Sequence, residues 1–216
     1  MISVDPTTAG SVSGVVTFKG MPPKSPSIDM TQDPGCPSQP QPSQAVVVNN
    51  GHLANVFVYV KEGLPQGRFE IRREPVVLDQ KGCDYIPHML GVMAGQQLRI
   101  LNTDTADHNV HDLPRNNPEW NESQKPSDPA VMKTFPHPEI MIPIQCNQHP
   151  WMKAYVNVMS TPYFAVSGSD GSFRMDNLPP GEYTIVAVHE KLMEQTLKVK
   201  VGAKEAAKAD FSFAAP

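Results

Sequence analysis

The sequence predicts an all-β protein, and three observations carry that expectation. Apolar runs are short and tend to alternate with polar residues, turn residues separate them, and no stretch holds an amphipathic helical period for a useful length. Pro (23) and Gly (14) are plentiful while charged residues make up only 19% of the chain, a balance suited to many short strands joined by tight turns. Ser11–Lys19 reads as a first strand closed by Gly20. Met21–Gln44 holds seven prolines and almost nothing apolar, and reads as a meandering surface loop. Ala45–Val48 and Ala54–Val60 flank Asn49-Asn50-Gly51-His52, a hairpin signal because Asn and Gly tolerate positive φ. Pro75–Leu78 is a short β-branched run, and Leu98–Leu101 follows the turn at Ala94–Gln97. Arg115–Pro129 is a second polar insert, with Trp120 alone in it. Ile140, Ile142 and Ile144 then share one strand face, as do Ala154, Val156 and Val158. The tail repeats the pattern at Phe173–Met175, Tyr183–His189, Leu197–Val201 and Phe211–Phe213.

Charge excludes one class of partner. A net charge of −4 without a basic cluster leaves no nucleic-acid footprint. No apolar stretch approaches the ~20 residues that span a bilayer as a helix, so no transmembrane segment is expected. The start, Met1 to Pro6, has neither a basic nor an apolar leader region, which fits a cytosolic protein or a mature exported one.

The chemistry concentrates in Cys146-Asn147-Gln148-His149-Pro150-Trp151-Met152. A thiolate, an imidazole and a thioether fall within seven residues at the end of an alternating strand. Copper cycling between its two oxidation states prefers this set: soft sulfur for the reduced ion, imidazole for both, a weak thioether at the side. Zinc also takes Cys and His but seldom Met. A second imidazole is needed, and Asp107-His108-Asn109-Val110-His111 supplies one after a predicted strand. His108 and His111 compete for the role, since an odd offset puts them on opposite strand faces. His88 reads as a surface histidine beside a proline, His137 and His52 as exposed loop residues, and His189 as structural. Met89, Met93, Met132, Met141 and Met159 are scattered and read as core filler rather than a metal-transport cluster.

The pairing of Cys-x-x-His-Pro-x-Met with an upstream His-Asn-Val-His resembles the cupredoxins, most of all those with an equally short ligand loop, the amicyanins. The likeness covers about Pro75–Ser160 and includes Gly95, Leu98–Asn102, Thr134-Phe135 and Lys153–Val158. It implies a Greek-key sandwich holding one type 1 copper, with His108, Cys146 and His149 in a trigonal plane and Met152 axial. Asn109 would tie the two ligand loops together. His149 would be an exposed edge ringed by the apolar Pro150 and Trp151, through which electrons pass to a redox partner such as a c-type cytochrome or dehydrogenase. Asp107, where the family commonly has Pro, and the Arg115–Pro129 insert depart from the pattern.

The ends of the chain carry a second resemblance. Ser169-Asp170-Gly171-Ser172-Phe173 and Leu178-Pro179-Pro180-Gly181-Glu182-Tyr183-Thr184 are similar to the carboxypeptidase regulatory-like family, a small transthyretin-like β-sandwich. That family's opening strands match Ser13–Phe18 and Val56–Val60 at the other end. The resemblance implies one sandwich split between residues 1–65 and 161–216, with the cupredoxin, 66–160, inserted between. Two sequential domains with an N-terminal extension are the alternative.

With Cys146 assigned to the metal, Cys36 and Cys83 remain to pair, which is expected in an oxidising compartment and would staple one domain to the other. Export to the periplasm or cell exterior follows as the expectation. A one-electron carrier is the leading function, with copper delivery or storage through the same ligands as the alternative. An enzyme is not expected: four ligands leave no open position, and the seven histidines include no His-x-His pair for a further copper centre.

Overall fold

The period-two alternation of the sequence folds into two separate apolar cores, seen in a computed structural model that describes residues 1–215. Every regular element among the described residues is a strand. No helix among them is long and apolar enough to cross a membrane. The chain divides into two units: the first gathers Met1–Lys24, Ala45–Glu70 and the tail from Thr161, and the second Ser25–Gln44 and Ile71–Ser160.

In the first unit Gly10–Lys19 is the central strand of one sheet. Val12, Val16 and Phe18 point inward because they sit two apart on one face. Ser172–Leu178 pairs with this strand antiparallel, and Ala206–Lys208 and Phe211–Ala214 pair with it parallel. Gly14 is required here: a Cβ would stand 1.9 Å from the Ala209 carbonyl oxygen. Gly171, at φ +73°, makes the turn into Ser172–Leu178. The second sheet runs in the order Phe164–Val166, Phe57–Glu62, Gly181–Val188, Gln195–Val201. His52 lies half-buried in the strand His52–Leu53 rather than in an exposed turn. His189 is structural: it is 3% exposed, and its Nδ1 accepts the Lys191 N–H.

The second unit holds a four-stranded sheet, Val131–Lys133, Leu98–Asn102, Val76–Gln80 and Tyr85–Ile86. A five-stranded one runs Asn121–Gln124, His108–Asp112, Glu139–Gln145, Lys153–Met159, Met89–Met93. Leu98, Ile100, Ile142, Ile144, Ala154, Val156 and Val158 fill its core, each on the inward phase of its strand.

Several expectations need correction. Arg115–Pro129 is not only loop, since Asn121–Gln124 pairs antiparallel with His108–Asp112 in the register His108↔Gln124. Met89–Met93 is a strand parallel to Lys153–Met159, hidden in the sequence by its central Gly and flanking methionines. Met89, Met93 and Met159 are core residues, but Met132 is 42% exposed. Finally, Ser25–Gln44 belongs to the second unit and not to the split one. Met30 is buried in the second core and Ile28 packs against it, an anchor that a proline-rich segment conceals. Cys36 is bonded to Cys83 within that same unit, so the disulfide closes a loop inside one unit and staples no domain to another.

Thiol titration of the denatured, metal-free protein should find one free thiol, that of Cys146. The bond spans a sequence separation of 47, and the chain-entropy relation assigns a loop of that size about 4 kcal/mol. Denaturant unfolding of the Cys36→Ser/Cys83→Ser variant should show a loss of that order, and an unchanged midpoint would count against it.

Candidate metal centre

His108 opens the strand His108–Asp112 just after the turn that Asn102 organises. The Asn102 amide donates to the carbonyls of Ala106 and Gln124, both at 3.0 Å, and its Oδ1 accepts the N–H of Asp104. Cys146 follows directly on Glu139–Gln145, whose register places Gln145 opposite His111. The chain then turns back: Met152 donates its N–H to the His149 carbonyl at 2.9 Å and continues into Lys153–Met159. Spacing of three residues between donors is thus spent on one tight turn, which delivers both Cys146 and His149 to the same place.

His108 Nδ1 and His149 Nδ1 lie 2.9 Å apart, and Cys146 Sγ is 3.8 Å from His149 Nδ1. The three donor atoms all fall within 4.8 Å of one another. His108, Cys146, His149 and Met152 are at most 3% exposed, so the spot is shielded from bulk solvent. Asn109 joins the two segments: its Oδ1 accepts the Asn147 N–H at 2.7 Å and stands 3.3 Å from Cys146 Sγ.

Burial pushes the Cys146 thiol up, yet the bond from His108 and the backbone N–H groups of Asn109, His149 and Gln148 outweigh it and lower its pKa to about 6. These bonds favour the thiolate, the form that binds metals. Burial would lower the His108 pKa, but Cys146 and Asp104 raise it. Two other groupings of donors lie alongside, Cys36, Cys83 and His149, and Cys83, Asp104 and His108. Cys36 and Cys83 are bonded to each other, which removes both as ligands.

The surroundings of His149 differ from expectation. Its ring is 3% exposed and not an open edge, because Ser25–Gln44 lies over it: Nε2 bonds Asp33 Oδ2 at 2.8 Å and Cys36 Sγ is 3.7 Å away. The rim is also not purely apolar: the cleft is lined by the acidic Asp29 and Asp33 and the polar Gln32 and Gln148 as well as by Pro34, Pro150 and Trp151. Asp33 and Asp104 were not singled out by sequence. Asp104 is only four residues before His108, a local signal, but Asp33 stands 116 positions from His149 and nothing in the sequence links them.

The other histidines separate cleanly. His111 lies outside the cluster and bonds Glu119 at 2.7 Å and Asn147 at 3.3 Å. His88 is buried, at 9% exposure, and packs edge-on to Tyr155, so it is no surface residue. His137 is exposed.

No protein-family description matches the chain, and no curated protein matches it. Solved structures do. A copper-containing nitrite reductase from Thermus scotoductus is 18% identical over 46% of this chain and 26% of its own, with a TM-score of 0.38. The chain thus spans about a quarter of that enzyme's length. A purple cupredoxin from Nitrosopumilus maritimus is 19% identical over 38% of this chain and 98% of its own, with a TM-score of 0.34. A reduced mutant of amicyanin is 25% identical over 41% of this chain and 86% of its own, with a TM-score of 0.36.

Asp112, one residue past His111, sets a pH dependence. It is fully buried; Oδ1 accepts the Trp120 N–H while Oδ2 has no partner among the described residues. Burial pushes its pKa up to about 6. The folded state therefore favours the protonated form, and its penalty on stability grows as pH rises from about 4, the ordinary carboxyl value, through the folded pKa. Asp112→Asn should flatten the fall in melting temperature over that window and match wild type below it. An unchanged slope would place the titration elsewhere.

Proposed function

We propose that this protein holds a single type 1 copper ion through Cys146, His108, His149 and Met152 and passes one electron at a time to a redox partner outside the cytoplasm. The observation that carries the reading is the convergence of the Cys146 sulfur and two imidazole Nδ1 atoms in a buried pocket, with Met152 buried in the same apolar core as Cys146.

The donor set fits the ion. Each imidazole has its Nε2 against a carboxylate, so both Nδ1 atoms face the same spot, 2.9 Å apart, where a proton or a metal ion can be held. The Cys146 thiolate and the carboxylates of Asp33 and Asp104 together supply three negative charges to offset a divalent cation. Sulfur with imidazole suits copper in both oxidation states, and a buried Met argues against zinc. Bound copper supplies the one-electron couple. The chain's own residues hold the donors in one arrangement: Asn109 locks the two segments, and the turn at His149–Met152 is closed by its own backbone bond. Four donors leave no position for a substrate, which favours a carrier over an enzyme. The acidic rim suits a partner that presents basic groups, such as a c-type cytochrome or a dehydrogenase. The Cys36–Cys83 disulfide supports a periplasmic or extracellular setting.

One observation favours copper storage or delivery instead: the buried His149 ring offers no open edge for electron hand-off. Voltammetry separates the two, because a carrier gives a reversible wave and a store does not. The first unit, with its Asp170-Gly171 turn and the Tyr183 hydroxyl donating to the Pro179 carbonyl, supports a carboxypeptidase regulatory-like scaffold split by the copper-bearing segment.

Protein loaded with Cu(II) should show an intense thiolate-to-copper band and narrow EPR hyperfine splitting. Cys146→Ser should lose the band entirely, and His108→Ala should lose it while His111→Ala keeps it. The reverse pair of results would assign the imidazole to His111. Met152→Leu should keep the colour and raise the reduction potential, since the thioether donates weakly to the oxidised ion; an unchanged potential would remove Met152 from the ligand set.

A further inference from the structure

The outward nitrogen of each proposed imidazole ligand meets a carboxylate. Asp104 Oδ2 is 2.8 Å from His108 Nε2, and Asp33 Oδ2 is 2.8 Å from His149 Nε2. Both carboxylates are held by other donors. Asp33 Oδ1 accepts the Gly35 N–H at 2.8 Å; Asp104 accepts the N–H groups of Cys83 at 2.6 Å and Thr105 at 2.9 Å. Each carboxylate already acts as an acceptor of backbone N–H, one for Asp33 and two for Asp104, and an ionised carboxylate only accepts, so each ring presents an N–H at Nε2. The two anchors are also tied together. Asp33 stands three residues before Cys36, Cys36 is bonded to Cys83, and the Cys83 N–H binds Asp104. The Thr105 hydroxyl donates to the Gly35 carbonyl at 2.9 Å, and the Trp151 indole donates to the Cys83 carbonyl at 3.0 Å.

We infer that Asp33 and Asp104 are a disulfide-clamped pair of positioning residues, one per imidazole, that fix both rings with Nδ1 toward the metal and hold its reduction potential low. The inference rests on the copper reading above for its second half only. Two physical consequences follow from the geometry. A carboxylate on the far nitrogen fixes the tautomer and makes the ring a better donor, and loss of such a partner commonly weakens metal binding 10–100-fold, to order of magnitude. Two negative charges beside the site favour the more highly charged ion, and in a buried pocket they are weakly screened.

The experiment uses the full chain with three kinds of substitution. Asp33→Asn and Asp104→Asn keep an oxygen acceptor but remove the charge, Asp33→Ala and Asp104→Ala remove both, and Asp128→Asn removes an exposed charge of the same unit that is bonded to the Lys125 N–H and not to an imidazole. In copper-loaded protein each Asn variant at Asp33 and Asp104 should lower the ratio of Cu(II) to Cu(I) affinity at least about tenfold, an upward shift of about 59 mV for one electron. Asp128→Asn should leave the potential where it is. Potentials of the Asp33 and Asp104 variants that coincide with that of Asp128→Asn would overturn the charge role. The tautomers are read separately by long-range 15N–1H correlation of Zn(II)-loaded protein, a probe independent of copper. Both rings should carry Nε2 protons in wild type, and the Ala variants should lose protection of that proton and bind Zn(II) more weakly. A proton on Nδ1 of either ring in wild type, or unchanged Zn(II) affinity in both Ala variants, would overturn the positioning role. A wild-type protein with no thiolate-to-copper band would sink the copper reading and the potential half of this inference with it, while the Zn(II) spectra still decide the positioning half.

Discussion

Asn109 carries the junction on which the site depends. Its Oδ1 accepts the backbone N–H of Asn147 and its amide donates to Asn121 at 2.8 Å, while the Tyr85 hydroxyl donates to the Asn109 backbone carbonyl. One side chain therefore binds the strand that bears His108, the turn that bears Cys146 and His149, and the neighbouring strand Asn121–Gln124. Asn109 is 3% exposed, so leaving any of these groups unmet would cost the full penalty of burying a polar group, about 1–3 kcal/mol each. That penalty holds the donors in one arrangement rather than several.

The same constraint explains why a thiolate survives in an apolar setting. Burial opposes the charged form of Cys146, and four hydrogen bonds aimed at its sulfur overcome it. The outward side of each charged or polar group in the pocket is compensated in turn: Asp104 by backbone N–H groups, His108 by Asp104, His149 by Asp33. A polar network inside a core is favourable only when it is complete. Here completion reaches as far as the segment Ser25–Gln44, which the disulfide and the buried Met30 hold in place. A segment that composition marks as loop thus closes the site.

The closed rim has a functional consequence. In the proposed carrier role, electrons would not leave through an exposed imidazole edge, because His149 is covered; the cleft beside it is lined by Trp151, whose ring centroid is 5.1 Å from that of His149, and by Asp29 and Asp33 among others. The proposed partner would meet a surface that reads charge before it reads shape.

The sequence by itself determined the all-β class, the inward phase of strands such as Leu98–Asn102 and Lys153–Met159, and the concentration of soft donors at Cys146–Met152. These are local properties, set by alternation and by residue type within a few positions. Alternation alone left His108 and His111 as competitors, because it says that one faces inward and not which, and it was the family resemblance that pointed to His108; in the structure His108 is the one in the donor cluster, with His111 paired opposite Gln145. The strand Met89–Met93 stayed hidden because its burial comes from parallel pairing with Lys153–Met159, not from its own pattern. Only the tertiary structure decided that Asp33 meets His149 across 116 positions and that Ser25–Gln44 belongs with the second unit. Contacts at that separation depend on where a disulfide and one buried methionine pin a loop, and no local periodicity encodes that.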